Sequence, residues 1–169
     1  MKKIKIIFFV FICILISCFI FFLKKQFFNP KKKSQEFNTE ILANSSINID
    51  KHHYDCEFSH SNKNTKIKIK SPKSIEGLCI EWNDGNQKIS VEDLSKSFES
   101  FAFPENSFLN LVVKILDNIS SIDLSEVKDD GRYKIFKGNI ENNEFEICSE
   151  KSKILEIFVK SKDAKINFE

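Results

Sequence analysis

The sequence predicts an α+β fold: a curved antiparallel β-sheet, an incomplete barrel, with one or two helices inserted mid-sequence and packed on its concave face. An N-terminal membrane helix precedes it. Three observations predict this. Apolar residues alternate with period two through most of 51–91 and again through 133–168. Between them, 105–118 switches to the helical period. At the start, Ile6 to Leu23 carries no charge.

That first segment follows Met1-Lys2-Lys3-Ile4-Lys5 and is stopped by Lys24 and Lys25. Its 18 residues would rise about 27 Å as a helix, close to the roughly 30 Å hydrocarbon core of a bilayer. It has no polar face, so a small domain has no way to enclose it. Two anchoring modes are open. Leu15-Ile16-Ser17-Cys18 has the form of a bacterial lipobox, which makes Cys18 a lipid-attachment candidate after cleavage. Phe19 to Leu23 continues the apolar run, which suits an uncleaved transmembrane helix. Counting flanking Lys alone favours the body inside. A short basic tail ahead of a long body acts as an export signal and places the body outside. The expected location is the cell membrane, with the body extracytoplasmic.

The net charge of +2 is a cancellation. Residues 1–33 hold eight Lys and no acid, and the remaining eighteen basic residues meet 24 acids, leaving −6 on the body. A basic nucleic-acid-binding domain is excluded on that balance. Disorder throughout is excluded because 41% of the residues are hydrophobic and they are patterned. The expected organisation is an anchor over 1–23, a basic-to-polar tether over 24–50 and one domain over 51–169. Lys24 to Lys33 in the tether suits an anionic membrane surface.

The elements follow in order. Ser34 to Leu42 is a candidate brief helix with Phe37, Ile41 and Leu42 on one side. Tyr54, Cys56 and Phe58 alternate with His53, Asp55 and Glu57. Ser61-Asn62-Lys63-Asn64 is a turn, and Thr65 to Lys70 alternates again, so the pair reads as a hairpin that Pro72 ends. Leu78, Ile80 and Trp82 mark a third strand, Asn83-Asp84-Gly85-Asn86 a tight turn, and Lys88 to Val91 the return strand. Glu92 to Phe101 is a candidate short helix through Leu94, Phe98 and Phe101. Pro104 precedes the main helix, 105–118, whose stripe is Phe108, Leu109, Leu111, Val112, Ile115, Leu116 and Ile119. Four more strands, 133–140, 144–148, 154–159 and 164–168, are joined by connections short enough to force antiparallel neighbours. The expected order is four strands, one or two helices, four strands.

A resemblance accompanies this plan. The anchor signal with its sheet-helix-sheet body resembles the LolA/LolB-like and LppX-like envelope lipoprotein superfamily. Lys66-Ile67-Lys68-Ile69-Lys70-Ser71-Pro72, Gly77-Leu78-Cys79-Ile80, Asp84-Gly85 and Phe103-Pro104-Glu105-Asn106-Ser107 resemble uncharacterised members of low-GC Gram-positive bacteria, over about 52–168. The resemblance implies a lipid carrier holding acyl chains between sheet and helices. The early-strand Arg of the carriers has no counterpart, since the sole Arg is Arg132.

No catalytic motif is present. Four Gly, at 77, 85, 131 and 138, leave no glycine-rich phosphate loop, and neither a Gly-x-Ser-x-Gly nor a His-Glu-x-x-His occurs. All three His lie in one strand, where His53, Asp55 and Glu57 share one face and His52, Cys56 and His60 the other. Ligands from one strand do not close a metal site, so neither a metal nor a cofactor is expected. Cys79 and Cys148 are either a disulfide or, with Cys56, three separate thiols. Trp82, Phe98, Phe101, Phe108, Tyr133 and Phe136 are candidates to line an apolar pocket between sheet and helix, or else ordinary core; Phe103 and Phe145 join them. The expected function is a membrane-anchored, non-catalytic binding module for a lipid or other apolar ligand. The alternative is an adaptor for an envelope or cell-wall enzyme.

Overall fold

The structure is a computed structural model that describes residues 36–91, 94–98 and 103–169; the anchor with Cys18, and Phe101, lie outside them. Among the described residues no helix is long and apolar enough to cross a membrane. Gln35–Glu169 forms one compact unit.

The unit is one open antiparallel sheet of eleven strands with a single α-helix among the described residues. The strands are β1 Ile41–Ile49, β2 His52–Ser61, β3 Asn64–Ser71, β4 Cys79–Asn83, β5 Asn86–Val91 and β6 Leu94–Phe98. Helix α1 Phe108–Asn118 follows, then β7 Ser125–Asp129, β8 Tyr133–Ile140, β9 Asn143–Glu150, β10 Lys153–Val159 and β11 Ala164–Phe168. The spatial order is β6-β5-β4-β3-β2-β1-β11-β10-β9-β8-β7. Two meanders, one before the helix and one after it, therefore meet along the seam between β1 and β11. Ser45 there faces Phe168, and Ile49 faces Ala164.

Two expected helices are strands. Ile41 to Leu42, read as the end of a brief helix, opens β1, and the sheet thus begins inside the stretch read as tether. Nine residue pairs with β2 hold β1 on one side and five with β11 on the other. That pairing outweighs the helical spacing of Phe37 and Ile41, and it leaves Leu42 88% exposed on the outer face. The helix expected over Glu92–Phe101 is replaced within 94–98 by β6, which pairs with all of Gln87–Val91. A spacing of four, as in Leu94 and Phe98, keeps two residues on one side of a strand as well as of a helix. The observed order is six strands, one helix, five strands. Helix α1 starts three residues later than expected, after Ser107 N–H bonds the Pro104 carbonyl in a turn.

The tight turns are where the sequence puts them. Asp84 (φ 45°) and Gly85 (φ 84°) link β4 to β5 in left-handed backbone, where glycine pays no steric cost. The core lies between the inner face and α1. Phe58, Ile67, Phe145, Ile147, Ile157 and Ile166 pack against Leu111, Ile115 and Leu116, all nearly inaccessible. The outer face is polar and laced with surface ion pairs, such as Lys66–Glu81 at 2.6 Å and Lys137–Glu146 at 3.0 Å.

Cys56, Cys79 and Cys148 are all free. Cys79 on β4 and Cys148 on β9 are six strand positions apart, about 29 Å at 4.8 Å per strand, far beyond the roughly 7 Å limit for a disulfide.

Gly138 on β8 faces Phe145 on β9. A Cβ at 138 would lie 2.5 Å from Phe145 Cζ and 2.7 Å from Leu124 Cδ2. Gly138→Ala is expected to lower stability by about 1–3 kcal/mol through overpacking. Thermal unfolding of the full-length chain in detergent checks this, and an unchanged midpoint would contradict the tight fit.

Candidate functional site

The inner face holds two clustered groups of polar side chains in a mostly apolar layer. The first centres on Asn110, which projects from the apolar stripe of α1 and is fully buried. Its Oδ1 accepts the Trp82 indole N–H at 2.9 Å and the Gln87 amide N–H at 2.7 Å. Its Nδ2 donates to the Pro104 carbonyl at 2.9 Å and the Phe103 carbonyl at 3.3 Å. Trp82 and Gln87 are opposite neighbours on β4 and β5. One amide therefore ties the helix to two strands and to the loop that delivers the helix. Its four bonds use its acceptor and both donors.

The second group sits at the other end of α1. His60 on β2 is 3% exposed. Its Nδ1 lies 2.7 Å from Thr65 Oγ1 on β3, and its Nε2 lies 3.7 Å from Asp117 Oδ1 in the last turn of α1. Burial holds the His60 ring below its ordinary pKa, against an opposing pull from Asp117. Burial also pushes the Asp117 carboxyl up, while His60 and Lys63 pull it down. Hydroxyl, imidazole and carboxylate stand in a row, the order used in nucleophilic catalysis. Thr65 is only 2% exposed, however, so a substrate carbonyl has no path to its hydroxyl. Nor is there an activated thiol at Cys56, which burial pushes up to about 12. Among the described residues no three His, Cys, Asp or Glu side chains are grouped to hold a metal.

A cleft of about 220 Å³ lies between these groups, bounded by the β2–β3 and β4–β5 turns and by α1; Lys63, Trp82, Asp84, Asn110 and Asp117 line it. A larger groove of about 390 Å³ lies at the sheet edge, lined by Ile89, Ser90, Val91, Leu94, Ser95 and Lys96. Ile89 faces Lys96 and Val91 faces Leu94, on the same face of the sheet as Trp82 and Gln87. Among the described residues no helix lies above this part of the inner face: Leu94 is 79% exposed and Val91 39%.

The aromatic candidates are divided by this geometry. Trp82, Phe108 and Phe136 are buried, at 4%, 5% and 4% exposure. Trp82 and Phe108 belong to the core beside Asn110. Phe136 sits on β8, next to the other edge strand, where the ring of Phe37 meets it edge-on at 5.3 Å. Tyr133 is a correction: the register sets it opposite Glu150 and three residues out of phase with Phe136, on the outer face, under the Arg132 guanidinium at 4.9 Å. Phe98 lies in the edge strand opposite Gln87, with its side chain outside the described residues, as is all of Phe101. Sequence reasoning missed Asn110, Gln87, Thr65 and Asp117, and it passed over Ile89, Val91 and Leu94 as a surface. The available signal was parity: Gln87, Ile89 and Val91 alternate in phase with Trp82 across a two-residue turn.

Removing the Asn110 side chain takes the acceptor from the buried Trp82 indole N–H and one partner each from Gln87, Phe103 and Pro104. Asn110→Ala is expected to cost about 3 kcal/mol or more, and Trp82→Phe, which removes one donor and leaves the amide its other partners, about 1 kcal/mol. Denaturant unfolding of the full-length chain compares the two, and equal costs would contradict the central place of the amide.

No protein-family model matches the chain, and no curated protein matches it. Among solved structures, the crystal structure of a LolA superfamily protein from Nitrosomonas europaea is similar at 11% identity and a TM-score of 0.40. The similarity covers 75% of this chain and 66% of that one, just under two thirds of its length.

Proposed function

We propose that the protein is a membrane-anchored, extracytoplasmic and non-catalytic module that binds a lipid or other apolar ligand along the uncovered inner face of β5 and β6. The observation that carries this reading is the groove lined by Ile89, Val91 and Leu94. Its volume of about 390 Å³ lies in the range of roughly 300–1,000 Å³ typical of ligand sites. Covering a side chain as exposed as Leu94 contributes about 2 kcal/mol. Trp82, Phe108 and Phe136 act as the packed back wall of the layer, since their surfaces are already covered by the protein. The anchor is the charge-free stretch 6–23, as a helix or through lipidated Cys18. The non-catalytic reading draws support from the inaccessible Thr65 hydroxyl and the un-ionised Cys56 thiol.

A second reading, an adaptor for an envelope protein, is favoured by the difference between the two sheet edges. Strand β7 is bulged at Glu126/Lys128 and exposed throughout, which discourages pairing. Strand β6 runs in unbroken register with β5 and has one charge, Lys96.

A diazirine-bearing fatty acid, photolysed with the full-length chain in detergent, separates these readings. Label is expected in peptides spanning 86–98, and Leu94→Asp is expected to reduce it at least severalfold with the thermal midpoint unchanged. Label confined to peptides from residues 1–33 would sink the lipid reading.

A further inference from the structure

We propose that the buried contact between His60 and Asp117 is an acid-sensitive latch, which holds the C-terminal half of α1 on the sheet and releases it when His60 takes up a proton. The inference rests on the geometry of the helix–sheet boundary and on no bound ligand. His60 belongs to β2 and Asp117 to α1, so their contact crosses that boundary. The 3.7 Å between Nε2 and Oδ1 is too long for a hydrogen bond, and Asp117 Oδ1 is buried with no donor. The contact thus lacks the short bond that would make a charged pair stable in a dry setting.

The groups around the ring decide the sign. From β3 comes the Thr65 hydroxyl, which carries no charge. From β1 comes Ile41, the cross-strand neighbour of His60. From α1 comes Asp117, whose charge favours the imidazolium, and from the β2–β3 turn Lys63, which acts on Asp117. Burial prevails over Asp117, so the closed arrangement binds a proton on His60 less readily than a solvated ring does. Whatever binds the open state more tightly shifts the population toward it. Acid below the ordinary histidine pKa therefore favours an opening that hydrates the ring. At lower pH the sign reverses, because the raised carboxyl of Asp117 takes up its proton more readily in the closed state. The latch has an acidic window rather than a monotonic response. Asp117 and the neighbouring Asn118 at this end of α1 line the cleft over Trp82, so lifting it opens that cleft.

The test is hydrogen exchange of the full-length chain in detergent between pH 7.5 and 5.5, corrected for the intrinsic exchange rate. Protection in peptides covering 108–118 is expected to fall below pH 6.5 by up to about tenfold per pH unit, the limit for one proton. Peptides from 143–159 are expected to hold theirs. Trp82, the single Trp of the chain, is expected to shift its emission to the red over the same range. His60→Gln is expected to abolish the response, and Asp117→Asn to extend it to lower pH by removing the charge that favours the imidazolium. Protection of α1 that is unchanged across the range, or the same loss in His60→Gln, overturns the proposal. Should His60→Gln fail to fold, the His60 ring titration followed by NMR in the unaltered chain decides: a midpoint at or above 6.5 overturns it.

Discussion

The chain leaves the sheet at one edge and must re-enter it at the other. Strands β6 and β7 are the two ends of an open sheet ten inter-strand spacings wide, about 48 Å along its surface at 4.8 Å per step. The connection between them has only one apolar surface to follow, the inner face. That constraint puts α1 where it is, and it explains why one helix of eleven residues covers the middle of the face and leaves Val91 and Leu94 at the β5–β6 margin exposed. A helix crossing a sheet on apolar contacts alone slides easily, since such contacts are non-directional. Asn110 supplies direction. Its amide is held by side chains from β4 and β5 at one end and by the carbonyls just before the helix at the other. The crossing thus has a fixed point near its start, while its far end is held by Ile115 and Leu116 in the core, with the looser contact between His60 and Asp117 beside them.

Much of this was legible in the sequence. Eight strands and the main helix follow from alternation and from the helical stripe, because each has one dry face and one wet face. The unreadable parts have physical reasons. In β1 the inner positions include Ala43 and Ser45, so hydrophobicity does not mark the buried side, and the strand's place depends on partners 115 residues and more away in β11. In β6 the apolar spacing of four suits both periods. Strand β7 has no buried residue at all and is held to β8 by its backbone and by Lys134, which pairs with Glu126 and Asp129. Asn110 looked like a polar interruption of the stripe, because its partners Trp82 and Gln87 come from strands that only the fold places beneath it. Tyr133 fell on the outer face because an odd separation from Phe136 reverses the side of a strand.

The two sides of the sheet also divide the electrostatics. Outer-face pairs such as Lys70–Glu57 and Arg132–Glu150 are solvated and contribute little individually. Their use is to give a wide sheet a wet side. On the inner face the few polar groups are buried, so each matters more, and unsatisfied atoms stand out: Ser45 Oγ, Ser149 Oγ and Asp117 Oδ1 have no hydrogen-bond partner. The apolar margin at Val91 and Leu94 is the converse case, exposed where the pattern of the strands would bury it.

The seam between β1 and β11 has a consequence for biosynthesis. The strand at the middle of the finished sheet is the first one made, and its second neighbour comes from residues 164–168. While the chain is being translated, β1 can pair with β2 but presents its other side as a free edge until nearly all the sequence has emerged. During that interval the first six strands form a sheet with a temporary edge at β1. A nascent chain of this topology therefore needs either rapid completion or an escort at β1, and truncation within β11 would make that transient edge permanent.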